Sequence, residues 1–459
     1  MTQDATTTVE RIARFATRVD RATLSDEAAD RLKRILLDTL GCAIGALGAG
    51  PVVAVRNVVD ALGGEPACTL IGGGRSSPDR AALYNGSLVR YLDFLDSYNR
   101  QGEVCHPADN TAAILAVAEA VGADGSDFLT SLAVSYQVQC RLLDLPTMRA
   151  GVNYTTPLAF SVAAGGSRLL GMDADRTANA LALAGVGAVS LAVIQAEPVS
   201  QWKGLASGEA ASRAVHNTYL ARAGITGDLG VFDGPLGLFQ LVDGILEVDW
   251  ETERLDAPLR TSIKKHNAEF QSQTAVDLAI RLRAEHGFEA RAINRVSVEV
   301  AQGAYDVLGG GKYGPKHDCR IKEQADHNLL YLVAVALLDG EVWPPQFAPE
   351  RITRDDVQTL LRKVDVQPSE DFTQRIPGEL CARLTITFAD GQVVTGEARD
   401  YDGYHTRPMS WDQVQGKFDR LTAGNLPDAG LRRAIAEAVD GLEGIRAKDL
   451  TGLLAQVGP

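Results

Sequence analysis

Four acids, a hydroxyl and an imidazole crowd one short stretch of this chain: Asp93, Asp96, Ser97, Glu103, His106 and Asp109, set among large apolar side chains. Asp93 and Ser97 are four positions apart, so on a helix they would share a face. His106 precedes Pro107 and a helix predicted from about residue 108. The positive end of a helix dipole favours the neutral imidazole, and a neutral imidazole can move a proton near pH 7. The alternative is an ordinary helix start, with Asp109 or Asn110 as caps and the acids solvated. Composition alone leaves both open.

Two basic positions complete the chemistry-bearing set. Lys203 follows Trp202 ahead of a predicted helix over 204–223, and Lys264 begins the run Lys264-Lys265-His266. Each is either a plain surface lysine or a binder of carboxylates. The net charge of −14 excludes nucleic acid and acidic membranes as natural partners. It also requires any site for an anionic substrate to gather its own Lys, Arg and His. Other chemistries lack their residues. Gly309-Gly310-Gly311-Lys312 is without P-loop spacing and has Tyr313 where Ser or Thr would hold magnesium. Gly72-Gly73-Gly74-Arg75 and Gly185-Val186-Gly187 read as turns or close helix packing. Neither His317 with Cys319 nor Asp326 with His327 has recognised zinc spacing, and no G-x-S-x-G occurs.

These residues need elements to position them. A chain of 459 residues exceeds what one core usually serves, so two domains are expected. Ser25 can cap a helix whose first turn holds Asp26 and Glu27 and whose apolar face is Leu32, Ile35, Leu36 and Leu40. Ala- and Leu-rich segments over 108–121, 126–143, 156–170, 174–196 and 204–223 continue as helices, with little strand alternation among them. Near residue 290 the texture changes. Val296, Val298 and Val300 alternate with polar residues, as do Leu384, Ile386 and Phe388, and Asp390-Gly391 predicts a hairpin turn into 392–395. A short strand over 363–366 and an apolar helix over 328–338 complete this part. Ser410 and Gln413 then form a capping box at a returning helix. The residues therefore read as mainly α, with helices over 1–263 and 403–459 and a smaller α+β domain over 264–402; whether the last stretch rejoins the first helices is left open by the pattern alone. Six scattered cysteines, no signal-like start and no bilayer-length apolar run predict a soluble cytoplasmic protein with reduced thiols.

Taken in order, several stretches resemble the MmgE/PrpD family over nearly the whole chain: LLDTLGCAIG at 36–45, RYLDFLDSY followed by GEVCHPADN, TTPLAFSVAAG at 155–165, SIKKHNAEFQSQ at 262–273, ADHNLLYLVAVALLDG at 325–340 and PMSWDQVQGKFDRL at 408–421. The LDF-x-D…HP-x-DN form is most similar to 2-methylcitrate dehydratase-like members. The resemblance implies a large helical bundle domain built from both chain ends (1–263 and 403–459), a smaller α+β lid domain (264–402), a homodimer, and no metal or organic cofactor. It places active-site residues at Asp93, Ser97, His106, Lys203, Lys264 and Tyr331. Many relatives have Thr at Ser97, and a second histidine common before the TT pair is replaced by Asn153-Tyr154, which makes Tyr154 its substitute. His266 stands where an aromatic residue is usual.

The implied reaction is loss of water from a citrate-like polycarboxylate, 2-methylcitrate first. Abstracting a proton beside a carboxylate builds negative charge there, so cations or strong donors must meet it. Lys203 and Lys264 are assigned to carboxylate binding, and His106 to proton transfer with Asp93 orienting it. Ser97 and Tyr331 are expected to position substrate or assist the leaving group. A decarboxylase or epimerase of a related acid, or a non-catalytic helical dimer scaffold, is the alternative.

Overall fold

The computed structural model describes residues 6–100, 103–145, 151–242 and 245–458. Gly102 of the polar stretch and the first five residues lie outside these. The chain is mainly α, with a smaller α+β region. One hydrophobic core joins residues from Val9 to Ile263 with residues from Met409 to Val457, and a second takes residues between Ala268 and Val394.

The first core is built from helices whose starts are set by local chemistry. The Ser25 hydroxyl accepts from the Ala28 amide at the head of Asp26–Gly45, and Ser410 and Gln413 form the reciprocal box that opens Trp411–Thr422. These two helices, from opposite ends of the chain, pack together. Small residues let others approach more closely. A Cβ on Gly86 would stand 2.9 Å from the Gly208 Cα, so Pro78–Tyr91 and Ala206–Arg222 touch backbone to backbone. That contact brings the C-terminal end of the first beside the N-terminal end of the second, where Arg90 and Lys203 lie.

In the second core, four strands run in the order Val364–Pro368, Ile293–Val300, Ala382–Phe388, Val393–Ala398. Val296 and Val298 pair with Val364 and Val366 in parallel, and with Ile386 and Leu384 antiparallel. One apolar face results, covered by Gln273–His286 and Leu329–Asp339. Gly391, at φ 88°, makes the predicted turn.

Three local expectations differ. The helix read over 174–196 ends at Val186, because the chain beyond Gly187 pairs with another segment: Asn153 donates to the Ser190 carbonyl, and Val152 bridges Leu191. Short hairpins, Cys68–Thr69 with Arg75–Ser76 and Tyr98–Arg100 with Glu103–Cys105, interrupt the helical part. Residues 92–97 are not helical, since Asp93 adopts φ 56° just past the end of Pro78–Tyr91. Asp93 and Ser97 therefore do not share a helix face. Among the described residues no single helix is long and apolar enough to cross a membrane; Asp26–Gly45 and Gly50–Leu62 are so only taken together, across an 88° bend.

Candidate active site

Asp93, Asp96 and Asp109 are buried rather than solvated, and neither Asp109 nor Asn110 caps a helix with its side chain. The Asp96 carboxyl accepts the Ala108 amide at 3.0 Å, and burial pushes it up to about 8. Asp109 accepts from the Ser207 hydroxyl at 2.8 Å and is pushed up to about 6 by burial.

His106 precedes the tight turn Pro107–Asn110, and its Nδ1 lies 2.7 Å from the Asp96 carbonyl oxygen. A carbonyl has no proton to give, so Nδ1 carries the ring proton and donates it. Nε2 is then the bare nitrogen, with no hydrogen bond among the described residues, and the ring lines a cleft of about 190 Å³. Pockets for drug-sized ligands are roughly 300–1,000 Å³, so this one suits a compact molecule. Burial, reinforced by the positive charges of Arg90 and Lys264, holds the imidazole neutral well below its ordinary range. Ser97 is fully buried. Its hydroxyl donates to the same Asp96 carbonyl at 2.7 Å and lies 3.1 Å from His106 Nδ1. It thus serves the imidazole's seat and does not reach the cleft, contrary to the expectation that it touches substrate.

Beneath the cleft lies a network of ion pairs. Asp93 pairs with Arg90 and, at 3.4 Å, with Lys264, whose ammonium also donates to the Asp93 carbonyl at 2.6 Å. Burial opposes ionisation of Asp93, yet Arg90 and Lys264 together hold its carboxyl well below the usual range. Asp93 does not bond to His106; it is the counterion of its cations. Lys203 donates to Asp326, to the Glu323 carbonyl at 2.9 Å and to His327 Nδ1 at 2.8 Å, which uses all three of its protons. Burial lowers the pKa of both lysines. Two carboxylates, Asp93 and Asp326, thus stand in ion-pair contact with four cations: Arg90, Lys203, Lys264 and Lys322. The carboxyls of Asp109 and Glu269 also face Arg90 and Lys264, so the cluster mixes both signs, with Arg90, Lys203 and Lys264 as its buried cations.

His327, which lines the cleft, was considered from sequence only as part of a metal pair. Burial, then Lys203, lowers it to about 4. Its Nδ1 lies 2.8 Å from the Lys203 ammonium, which can only donate, and 3.0 Å from the Asp326 carboxylate, which can only accept; with the shorter contact kept as the hydrogen bond, Nε2 carries the proton, the opposite arrangement to His106. Asp93, Asp326 and His327 do hold three ligand atoms within 4.8 Å of one another, as a cation would want. The Lys203 ammonium is the cation among them, bonded to two of the three.

Tyr154 lines the cleft, its ring edge-on to His106 at 5.2 Å and its hydroxyl accepting from Arg90 Nε at 2.8 Å. Glu269 lines it from the other core's side of the chain and is pushed up to about 7 by burial. Tyr331 does not belong to this group. It is fully buried in the second core, its hydroxyl donating to the Gln346 carbonyl, because the helix Leu329–Asp339 turns that face inward. His266 bonds Asp277 at 3.0 Å, away from the cleft. Sequence reasoning missed Arg90, Glu269 and the role of His327. Arg90 stands one helical turn before Asp93, a spacing that signals an ion pair.

A proton acceptor and a proton donor lining a small cleft, close to the buried cations Arg90, Lys203 and Lys264, can bind an anion and move a proton on it. The chain is similar to known proteins over most of its length. Over 416 residues, 83% of this chain and 82% of the other, the sequence is 28% identical to the 2-methylcitrate dehydratase of Cupriavidus necator. It is 28% identical to that of Salmonella typhimurium over 418 residues, 83% of each chain. With the human cis-aconitate decarboxylase it shares 26% identity over 468 residues, 95% of this chain and 92% of the other. Residues 10–251 match the MmgE/PrpD N-terminal domain and residues 266–441 the MmgE/PrpD C-terminal domain. On this agreement across both halves, the chain belongs to the MmgE/PrpD family.

Proposed function

We propose that the protein is a hydro-lyase that removes water from a citrate-like polycarboxylate of the 2-methylcitrate type. The observation that carries this reading is the pairing of a bare His106 Nε2 with the buried cations Arg90, Lys203 and Lys264 in a protein whose net charge is −14. Nε2 takes the proton from the carbon next to a carboxylate. The charge that then grows on that carboxylate is met by the neutral donor His327 Nε2–H and by the field of Lys203, Lys264 and Arg90. A neutral imidazole donor suits this task, since it offers its proton without needing to be charged first. Tyr154, held by Arg90, orients the substrate. The lysines act from below the floor rather than by touching it, which revises the direct carboxylate contact expected of them.

No added metal or organic cofactor enters this scheme, the Lys203 ammonium supplying the local positive charge. A homodimer fits the surface: Val186, Val189, Leu236 and Leu241 are exposed around one apolar hollow. Decarboxylation is the second reading, favoured by the similarity to the human cis-aconitate decarboxylase over most of both chains; the same floor would stabilise the carbanion left by departing CO₂.

The test is a panel of polycarboxylates, 2-methylcitrate, citrate and cis-aconitate included, incubated with the protein in heavy water. Loss of water with deuterium entering beside the carboxylate supports dehydration, and CO₂ release selects the second reading. A protein inert toward the whole panel refutes both.

A further inference from the structure

Eliminating water takes two proton movements, and His106 accounts for one. The departing hydroxyl needs a proton from a group that reaches the cleft and can part with one. Among the buried residues lining it, Tyr154 holds its phenolic proton too tightly, burial pushing the group well above its ordinary range. His327 is neutral, and a neutral imidazole is a hydrogen-bond donor rather than an acid. Glu269 remains.

Its setting is specific. Glu269 heads the tight turn Phe270–Ser272, its Oε2 accepting the Gln271 amide at 2.6 Å and its own amide donating to the Asp326 carbonyl at 3.1 Å. Oε1 makes no hydrogen bond among the described residues, and the side chain lines the cleft that His106 lines. One oxygen is therefore fixed while the other is left for a ligand. We propose that Glu269 is the catalytic acid that delivers the proton to the departing hydroxyl, as counterpart to His106.

This assignment rests on the hydro-lyase reading. In the step, the C–H bond beside the carboxylate breaks and its proton goes to His106 Nε2. Its electron pair forms the carbon–carbon double bond, the C–O bond breaks, and the Glu269 proton joins the leaving oxygen as water. Glu269 ends as carboxylate and His106 as imidazolium, and one proton returning between them through solvent resets the site. The charges facing Glu269 keep its proton transferable. Burial raises the carboxyl, Lys264 lowers it, Asp93 raises it, and the Gln271 amide and Lys203 lower it again, leaving it at about 7; His106, His327 and Glu103 also line the cleft. An acid poised there is half-protonated near neutrality, which is where general acids work best.

A purely structural role, capping the turn, needs only an oxygen acceptor. Glu269→Gln supplies that oxygen at the same volume but no transferable proton. With 2-methylcitrate or whichever panel member the wild type dehydrates, the variant is expected to lose about 10² to 10⁴ in kcat, with KM changed less than about threefold. The wild-type kcat/KM is expected to fall as pH rises through about 7, and that alkaline limb is expected to be absent from the residual activity of the variant. A Glu269→Gln enzyme within threefold of wild-type turnover overturns the assignment while leaving the hydro-lyase reading intact. So does a wild-type profile flat from pH 6 to 9, a measurement that does not depend on the variant folding. A wild type that dehydrates nothing overturns both.

Discussion

The seat of His106 allows its catalytic and structural parts to be separated by choice of substitution. Asparagine carries an amide nitrogen near the position of Nδ1, so His106→Asn can still donate to the Asp96 carbonyl while losing the bare nitrogen in the cleft. Glutamine reaches toward the Nε2 position and abandons the carbonyl. That carbonyl has two donors, His106 Nδ1 and the Ser97 hydroxyl, both at 2.7 Å. Losing one of two hydrogen bonds costs about 0.5–1.5 kcal/mol net. His106→Asn is therefore expected to melt close to wild type, and His106→Gln to be less stable by about 1 kcal/mol. Neither can take the substrate proton, so both are expected to lose about 10² to 10⁴ in turnover, or about 3–5 kcal/mol of transition-state stabilisation. Affinity for an unreactive tricarboxylate should weaken far less than turnover does. Urea unfolding alongside steady-state kinetics and analogue titration reads all three quantities. His106→Asn with turnover within threefold of wild type would refute the assignment of Nε2 as base.

Other expectations follow from neighbouring groups. Lys203→Met keeps the stem and removes the ammonium. Because Asp326 retains Lys322 at 2.8 Å, the loss of stability is expected at or below the about 3–5 kcal/mol typical of a broken buried pair, and citrate affinity should fall; unchanged urea midpoint and affinity would contradict the network. His327 stays neutral when folded down to about 4, whereas unfolded it takes a proton near 6.5. The unfolded state then binds more protons between those values, so this residue's contribution is full above 6.5 and is lost as pH falls toward 4, by about 3 kcal/mol. Asp96 and Glu269, raised to about 8 and about 7, act in the opposite direction. The quantity to measure is thus the difference in unfolding free energy between wild type and His327→Gln, and a difference that does not change between pH 7 and 4 would contradict the seat described. Tyr331→Phe is expected to cost about 1 kcal/mol, for its lost bond to the Gln346 carbonyl, with kcat unchanged; a large loss of kcat on a stable fold would return Tyr331 to the site.

What could be read from the sequence was what local chemistry decides. Ser25 and Ser410 cap because a short hydroxyl ahead of a helix meets its free amides, and Val296 and Val298 face inward because strand side chains alternate. The neutrality of His106 was also legible, though its cause is mostly burial and the charges of Arg90 and Lys264 rather than a helix dipole. Long-range contacts were not legible. Asp93 leaves the helix at φ 56° beside Lys264, which lies 171 positions along the chain. Nothing near Lys203 in sequence announces that its three protons go to Glu323, Asp326 and His327. Tyr331 carries a family-like signature, yet its direction is set by the core it packs in.

The returning helix Trp411–Thr422 bears on how the cleft is assembled. Its Lys417 pairs with Asp38 at 2.7 Å, lies 3.8 Å from the centre of the Phe94 ring, and donates to the carbonyls of Phe94 and Lys264 at 3.0 and 2.8 Å. It thus clasps the segments on which Asp93 and Lys264 sit. Lys417 and Phe94 are 323 positions apart. At synthesis rates of about 5–20 residues per second, the loop waits on the ribosome roughly 16–65 s for its clasp to be translated. A chain cut short between Thr373 and Lys417 would therefore keep every described residue that lines the cleft and lack the clasp on the segments of Asp93 and Lys264.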